Sequence, residues 1–198
     1  CRKETYAIYI QPKVDAKTQQ LIVLAEETGN DDFARKLRDR VSSHPQKNRS
    51  FHYLPYHTDS SFEQTFLEEV LAMAELKNRD LEVYYNGDRA LTEFKIKCYK
   101  GNAGAWKYVG MYTPDFLIIQ RKHGKIYKAI IVETKGKIYA NDPFFKDKRT
   151  FMECEFTKQN NNAFGYKRFD YLYLEDSLSE AERILLTHEK ICTFFEGK

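Results

Sequence analysis

Tyr112–Gly136, which reads YTPDFLIIQRKHGKIYKAIIVETKG, contains two apolar runs separated by a polar loop with one glycine. Two β-rich runs around such a loop predict a β-hairpin. Charged residues stand at the outer ends of both runs: Asp115 opens the first, and Glu133 and Lys135 close the second. Because the second run otherwise has the composition of a buried central strand, we predict that these charges form a site at the end of a sheet.

The length of the hairpin loop decides whether the three charges meet. Side chains alternate along a strand, so Glu133 and Lys135 share one face. A two-residue turn would put Asp115 on the opposite face. A three-residue loop, ending in the left-handed residue that Gly124 can supply, would set Asp115 opposite Ile131 and on the face of the other two charges. We therefore predict a loop of odd length or an equivalent bulge.

Two carboxylates beside an ammonium group suit the hydrolysis of a phosphodiester bond. Asp115 and Glu133 offer the hard oxygen ligands that Mg²⁺ prefers, and a bound Mg²⁺ neutralises the phosphate and acidifies a water molecule. Lys135 can orient that water and stabilise the developing charge. We expect the Thr134 main-chain carbonyl to be a further metal ligand and Mn²⁺ to substitute for Mg²⁺.

The residues Pro114-Asp115 and Glu133-Thr134-Lys135 resemble the two halves of the PD-(D/E)xK nuclease motif. The surrounding segments, YTPDF and VETKG, are most similar to the nuclease domain at the C-terminal end of type III restriction endonuclease subunits. The resemblance covers about Tyr112 to Gly136 and is weak elsewhere. It implies a restriction-endonuclease-like fold and an endonuclease that cleaves double-stranded DNA, with a covalently attached helicase or translocase domain and a methyltransferase partner.

A helix predicted from Ser60 to about Lys77 adds a fourth candidate. Ser60 and Glu63 have the spacing of a capping box, and Glu63 falls in the middle of the apolar face of the helix. Members of the resembled superfamily commonly place an acidic residue on the helix before the sheet, near the metal, and Glu63 is the position that this role fits. The alternative is that Glu63 only returns a hydrogen bond to the Ser60 backbone.

Further DNA-contacting candidates follow the motif. Lys137 begins a basic segment that leads into a helix predicted near Phe144 to Phe156. Related nucleases often use a Lys or Gln on the helix after this strand to hold phosphate or the attacking water, and Lys158 and Gln159 are the nearest candidates. The alternative for this pair is a polar, asparagine-rich loop.

Composition fits a soluble globular domain and adds few constraints on function. The chain has 198 residues, 42% hydrophobic and 31% charged, with a net charge of +3, which suits a globular protein and permits an anionic partner. The four cysteines lack the close pairs of zinc or iron–sulfur motifs, so we expect reduced thiols in a cytoplasmic protein. No apolar run is long enough to span a membrane. The start at Cys1 rather than Met suggests an excised piece of a longer polypeptide.

The order of predicted elements indicates two regions. Residues 1–45 are predicted to form an accessory strand–helix–helix segment or the tail of a preceding domain, with a linker at Ser42–Ser50, and residues 46–198 the nuclease domain. Within the latter we predict a mixed central β-sheet flanked by helices. Its other predicted elements are a hairpin of Leu81–Tyr85 with Leu91–Tyr99 around Asn86-Gly87, a strand at Arg168–Leu174 and a helix at Glu180–Phe195.

Three alternatives to a type III-like nuclease stay open at the level of sequence. The first is a nucleic-acid-binding module of the same fold that does not cleave, although Asp115, Glu133 and Lys135 are all present. The second is a structural or protein-interaction domain, which a basic groove around Lys135 would disfavour. The third is a repair or recombination nuclease, because other nuclease types carry a similar motif.

Overall fold

A computed structural model of the chain describes residues 13–14, 16–42, 53–54, 60–86, 94–102, 105–136 and 141–196. The strands in this part are β1 (Lys13–Val14), β2 (Tyr53–Leu54), β3 (Leu81–Tyr85), β4 (Ile96–Asn102), β5 (Ala105–Tyr112), β6 (Phe116–Lys122), β7 (Lys125–Lys135) and β8 (Phe169–Glu175). The helices are α1 (Ala16–Glu27), α2 (Asp31–Ser42), α3 (Ser61–Ala72), α4 (Ala74–Asn78), α5 (Pro143–Thr150), α6 (Thr157–Phe164) and α7 (Glu180–Phe195), with a π-helical segment at Phe151–Phe156.

A mixed four-stranded sheet, in the order β3-β6-β7-β8, forms the centre of the fold. β6 is antiparallel to both β3 and β7, whereas β7 and β8 are parallel. The parallel connection runs through α5, the π-helical segment and α6, as expected because parallel neighbours need a long crossover. The protein is thus a mixed α/β fold with a mixed central sheet flanked by helices, as predicted.

Both faces of the sheet are buried, which explains why β6 and β7 have nearly continuous apolar runs. One face packs against α3, α4 and α7 through a core of Phe66, Val70, Leu76, Val83, Phe116, Ile118, Ile130, Val132, Leu174, Ile191 and Phe194. The other face packs against the α5–α6 helical run and β4 through Ile96, Cys98, Leu117, Ile119, Ala129, Ile131, Phe145, Met152, Phe156 and Tyr171. Full burial of each large apolar side chain contributes about 1.5–3 kcal/mol.

A bulge corrects the register of the β6–β7 hairpin. Lys122 pairs with Lys125 around a two-residue turn, in which His123 and Gly124 have φ of 53° and 74°. The pairing then shifts between Gln120 and Arg121, so that Leu117 pairs with Ile131. The turn is therefore even rather than odd, and the predicted pairing of Asp115 with Ile131 is wrong. The predicted equivalent bulge is present, however, and this register puts positions 115, 133 and 135 on one face.

Tyr127 is the residue that the bulge leaves without a cross-strand partner. Its ring stacks on that of Tyr166, with centroids 5.1 Å apart and an interplanar angle of 16°. Lys122 Nζ lies 3.7 Å from the centre of the same ring. These contacts give the extra residue a packing site of its own, which stabilises the bulge.

The predicted hairpin of Leu81–Tyr85 with Leu91–Tyr99 is wrong. Among the described residues, β3 pairs with β6, and β4 pairs with β5 as a separate two-stranded ribbon. β3, at the edge of the four-stranded sheet, has buried residues on both of its faces because both faces of that sheet are covered. The Asn86 amide does not serve a tight turn but bonds to both main-chain groups of Phe94 and to the Pro114 carbonyl.

Helix predictions are largely confirmed. α1, α2 and α7 lie where the sequence predicts them, and α7 begins with a Ser179–Glu182 capping box. The helix predicted from Ser60 to Lys77 is interrupted at Met73, whose extended backbone separates α3 from α4. The helical run after α5 continues to Phe164, beyond the predicted end. None of the described helices combines the length and apolar character needed to cross a membrane.

The predicted strand at residues 5–11 lies outside the described residues, as does almost all of the linker predicted at residues 42–50. The division into 1–45 and 46–198 therefore stays a prediction.

Candidate functional site

Asp115 lies at the point where the β6–β7 ladder ends. Its main-chain N–H donates to the Val132 carbonyl (3.1 Å), and its own carbonyl accepts from the N–H of Asn86 (2.6 Å). Asp115 Oδ2 accepts hydrogen bonds from the main-chain N–H and the Oγ1 hydroxyl of Thr134, both 2.8 Å. The Asp115 carboxylate thus takes the place of a main-chain carbonyl as the acceptor for the Thr134 N–H, and the two hydrogen bonds fix its position.

Glu133 is almost fully enclosed, with 1% of its surface exposed. Its Oε2 accepts a hydrogen bond from Tyr112 Oη (2.7 Å), and its Oε1 accepts from Lys135 Nζ (2.9 Å). Tyr112 Oη also lies 3.1 Å from Tyr171 Oη. The carboxylate is therefore oriented by a phenol on one side and an ammonium group on the other.

Lys135 is more accessible than the Glu133 carboxylate that it contacts. Its side chain is 27% exposed, against 2% for Glu133. Nζ lies 4.8 Å from the centre of the Phe145 ring on α5, which limits its movement without burying it. Lys135 can therefore reach both Glu133 and a group that approaches from solvent.

Glu63 approaches from α3, on the side of the sheet opposite to Glu133. It is 8% exposed, and its Oε2 accepts a hydrogen bond from Tyr85 Oη at the end of β3 (2.7 Å). Its main-chain N–H donates to the Ser60 cap (3.2 Å). The carboxylate thus faces the sheet, and not only its own helix terminus.

The four charges Glu63, Asp115, Glu133 and Lys135, here called the strand-end cluster, interact electrostatically. Burial, followed by the charge of Glu133, raises the pKa of Asp115 well above its usual value, and the charge of Glu63 adds to the effect. Burial likewise raises the pKa of Glu133, although Lys135 and the Tyr112 hydroxyl oppose this. Burial alone would lower the pKa of Lys135, but the attraction of Glu133, Asp115 and Glu63 leaves it raised.

The donor set of the cluster fits a hard divalent cation. Carboxylate oxygens and a main-chain carbonyl are ligands that suit Mg²⁺. The pKa values of Asp115 and Glu133 are raised first by burial and then by neighbouring carboxylates, and a bound cation would stabilise the ionised forms against both effects. Among the described residues, Asp115 Oδ1 has no hydrogen-bond partner, unlike Oδ2. The three carboxylates do not, however, form a group of ligand atoms all within 4.8 Å of one another.

The other predicted contacts lie apart from this cluster or outside the described residues. Lys158 and Gln159 are exposed residues of α6, and Gln159 donates to Glu155 of the preceding turn (3.0 Å). The structure therefore places them on a helix and not in the asparagine-rich loop. Within the described ranges, no contact brings either to the strand-end cluster. Lys137 is not among the described residues.

Three residues that support the site were not predicted from the sequence. Tyr112 and Tyr85 each donate to a carboxylate of the cluster, and Asn86 ties the Pro114-Asp115 backbone to Phe94. A tyrosine at a strand end is common in any sheet, so only the position of Tyr112 directly before the motif could have drawn attention to it. Asn86 was assigned to a turn because Asn-Gly is the strongest short signal for one.

No protein family profile matches this sequence, and neither curated proteins nor solved structures give a significant match.

Proposed function

We propose that this chain is a metal-dependent endonuclease domain that hydrolyses DNA phosphodiester bonds. The observation that carries the proposal is the contact of Lys135 with Glu133 beside Asp115, at a strand end where both carboxylates have raised pKa values. Buried acids with perturbed pKa values next to a partly exposed ammonium group are typical of catalytic sites. A structural ion pair would not need Asp115, a second and partly buried acid, beside it.

Each side chain has a separate task in the proposed reaction. Asp115, Glu133 and the Thr134 carbonyl, supported by Glu63, would hold Mg²⁺, for which Mn²⁺ can substitute. When bound, the ion supplies charge neutralisation at the phosphate and lowers the pKa of a water molecule. Lys135 donates a hydrogen bond toward the attacking water or the phosphate oxygen and stabilises the negative charge that develops there. Tyr112 keeps the Glu133 carboxylate oriented.

The β4–β5 ribbon gives the proposed site a surface for nucleic acid. Lys97 and Lys107 are exposed on it, and the rings of Trp106 and Tyr108 are 53% and 51% exposed. The ribbon ends at Tyr112, which bonds directly to Glu133. Exposed lysines suit phosphate contacts and exposed rings suit stacking on bases, so this surface supports a nucleic-acid substrate.

The family of fold, the DNA substrate and the partners are proposed from the resemblance of the motif to PD-(D/E)xK nucleases. It supports a restriction-endonuclease-like fold and double-stranded DNA as the substrate. It also favours a place in a cytoplasmic type III restriction–modification assembly, with an attached helicase or translocase and a methyltransferase partner. These attributions rest on the residues around Pro114-Asp115 and Glu133-Thr134-Lys135.

Plasmid nicking tests the proposal. The chain is incubated with supercoiled plasmid and Mg²⁺ or Mn²⁺, in parallel with Lys135→Met, which removes the ammonium group and keeps the length of the side chain. We expect metal-dependent conversion to the open-circular form, slowed at least about 100-fold in the variant because a donor to the developing charge is removed. Lys125→Met, at the exposed turn end of the same strand, is the matched control and should cleave like the parent.

Two outcomes would overturn the proposal. Equal nicking by the parent and Lys135→Met would remove the assigned role of Lys135. Binding of the plasmid without metal-dependent cleavage would identify the alternative, a nucleic-acid-binding module that does not cleave.

A further inference from the structure

Glu75, His188 and Cys192 form a second group of potential ligands, on the face of the protein where α4 packs against α7. The carboxylate, imidazole and thiol atoms of these residues all lie within 4.8 Å of one another. His188 and Cys192 are one turn apart on α7, and Glu75 comes from α4. The group shares no residue with the strand-end cluster, and neither the motif nor the proposed nuclease function includes it.

The distances between the ligand atoms resemble those of a tetrahedral zinc site. His188 Nε2 lies 3.0 Å from Glu75 Oε1 and 3.7 Å from Cys192 Sγ. With the usual Zn–N, Zn–O and Zn–S bond lengths, tetrahedral angles place N and O about 3.3 Å apart and N and S about 3.5 Å apart. These two distances differ from the tetrahedral values by a few tenths of an ångström. The third, between the Glu75 carboxylate and Cys192 Sγ, is within 4.8 Å and would have to shorten to about 3.5 Å. Water can complete the four ligands.

Without a cation, the three atoms are held by separate hydrogen bonds: Glu75 Oε1 is a partner of His188 Nε2, and Cys192 Sγ accepts from Arg79 Nη2. His188 Nε2 carries at most one proton, which can point at Glu75 or at Cys192 but not at both. A divalent cation would accept lone pairs from all three atoms, with the imidazole proton kept on Nδ1 and the Cys192 thiol proton released to solvent. Arg79 Nη2, which donates to Cys192 Sγ (3.7 Å), also forms an ion pair with Glu196 Oε1 at 3.2 Å. Arg79 can thus keep an ion pair when the sulfur binds a cation.

We propose that Glu75, His188 and Cys192 bind a borderline-soft transition-metal ion, with Zn²⁺ the expected one, which joins α4 to α7. Imidazole and thiolate ligands select Zn²⁺ over Mg²⁺, so the site differs in metal preference from the oxygen ligands of the strand-end cluster. The side chain of His188 is 46% exposed and that of Glu75 is 22% exposed, so an ion can enter from solvent. Because its ligands come from two helices, the ion would stabilise the packing of α4 on α7.

Cobalt substitution tests this site without any measurement of nuclease activity. The full chain, reduced and freed of metal, is titrated with Co²⁺, which gives a thiolate-to-cobalt charge-transfer band and intense visible bands only in a four-coordinate site with a sulfur ligand. We expect these bands to saturate at one equivalent and to disappear when Zn²⁺ is added. Cys192→Ser should abolish the charge-transfer band, and Glu75→Gln and His188→Ala should each weaken binding at least about tenfold.

Matched controls identify the ligands. Cys154→Ser changes an exposed thiol outside the site, and Glu189→Gln changes an exposed acid beside His188; both should bind Co²⁺ like the parent. Zn²⁺ at about 100 times its Kd should raise the Tm of the parent by about 5–10 °C and leave that of Cys192→Ser unchanged. The absence of a charge-transfer band in the parent, or a band that survives in Cys192→Ser, would overturn the proposal. Neither result bears on the strand-end cluster, whose ligands contain no sulfur.

Discussion

Glu133 and Asp115 are acids that the surrounding protein makes hard to ionise. Glu133 is enclosed between a tyrosine hydroxyl and a lysine, and Asp115 is held by two hydrogen bonds from Thr134. In both, burial raises the pKa more than these partners lower it. The ionised pair therefore reduces the stability of the fold, as is common where residues are selected for a function.

Because the ionised Asp115 carboxylate destabilises the fold, we make a prediction for Asp115→Asn, which keeps an acceptor for Thr134 and removes the charge. The pKa of Asp115 in the folded state lies above its unfolded value near 3.8, so the folded state binds the proton more tightly. The free energy of unfolding therefore falls as pH rises from about 3.8 through the folded pKa. We expect the variant to have a Tm a few degrees higher at neutral pH, and this advantage to shrink as pH falls toward 4. Thermal unfolding across that range measures it.

Asp147→Asn is the control for this experiment. Asp147 forms an ion pair with Lys100 on the β4–β5 ribbon (2.7 Å), so its substitution should lower the Tm slightly or leave it unchanged. A lower Tm for Asp115→Asn at neutral pH would contradict the electrostatic description of the strand-end cluster.

The alternation of side chains predicts the contact of Glu133 with Lys135, which depends on one strand only. It does not predict Tyr112 or Tyr85 as hydrogen-bond donors, because these contacts need the positions of three separate strands and α3. Local pattern therefore identifies the charged residues of the site, and tertiary packing selects the residues that orient them.

At the level of elements, the β6–β7 hairpin shows how a bulge and a turn together set the face on which a residue lies. His123-Gly124 alone would place Asp115 on the wrong face, and the bulge at Gln120/Arg121 reverses this. The sequence indicates that either an odd-length loop or a bulge is needed, because only then do Asp115, Glu133 and Lys135 share one face. It does not indicate which, because Tyr127 becomes a bulge residue only through its packing on Tyr166.

The β4–β5 ribbon carries a prediction of its own. Replacing Lys97 and Lys107 by Ala should weaken DNA binding and reduce its salt dependence, because fewer phosphates of the duplex are neutralised. The slope of log K against log salt should become shallower by about 0.9 for each phosphate of double-stranded DNA that the variant no longer binds. Fluorescence anisotropy with a labelled duplex at several salt concentrations measures both quantities.

The double variant Lys77→Ala/Lys125→Ala, which removes the same charge from α4 and from the turn end of β7, is the control and should keep the parental slope. An equal loss of affinity in both variants would show that net charge alone, and not the ribbon, determines binding.

For the whole molecule, the sequence predicts the class of fold and part of its topology. The apolar runs of β6 and β7, the cap of α3, and the positions of β8 and α7 are all local signals. The pairing of β3 with β6 is not local, because Asn86-Gly87 favours a hairpin that the sheet does not contain. The turn preference of Asn86-Gly87 competes with the burial of Leu81, Val83 and Tyr84 between the two faces of the sheet and its covering layers. Burial outweighs the turn preference, and it depends on residues distant in sequence.

Binding of Mn²⁺ tests the central claim most directly, namely that the strand-end cluster holds a divalent cation. Titration followed by the electron paramagnetic resonance signal of free Mn²⁺ is performed on Cys192→Ser, which removes the sulfur ligand of the second site, and on the same variant with Asp115→Asn or Glu133→Gln. We predict one bound Mn²⁺ in Cys192→Ser and its loss in both double variants. No bound Mn²⁺ in Cys192→Ser, or equal affinity in all three proteins, would contradict the claim.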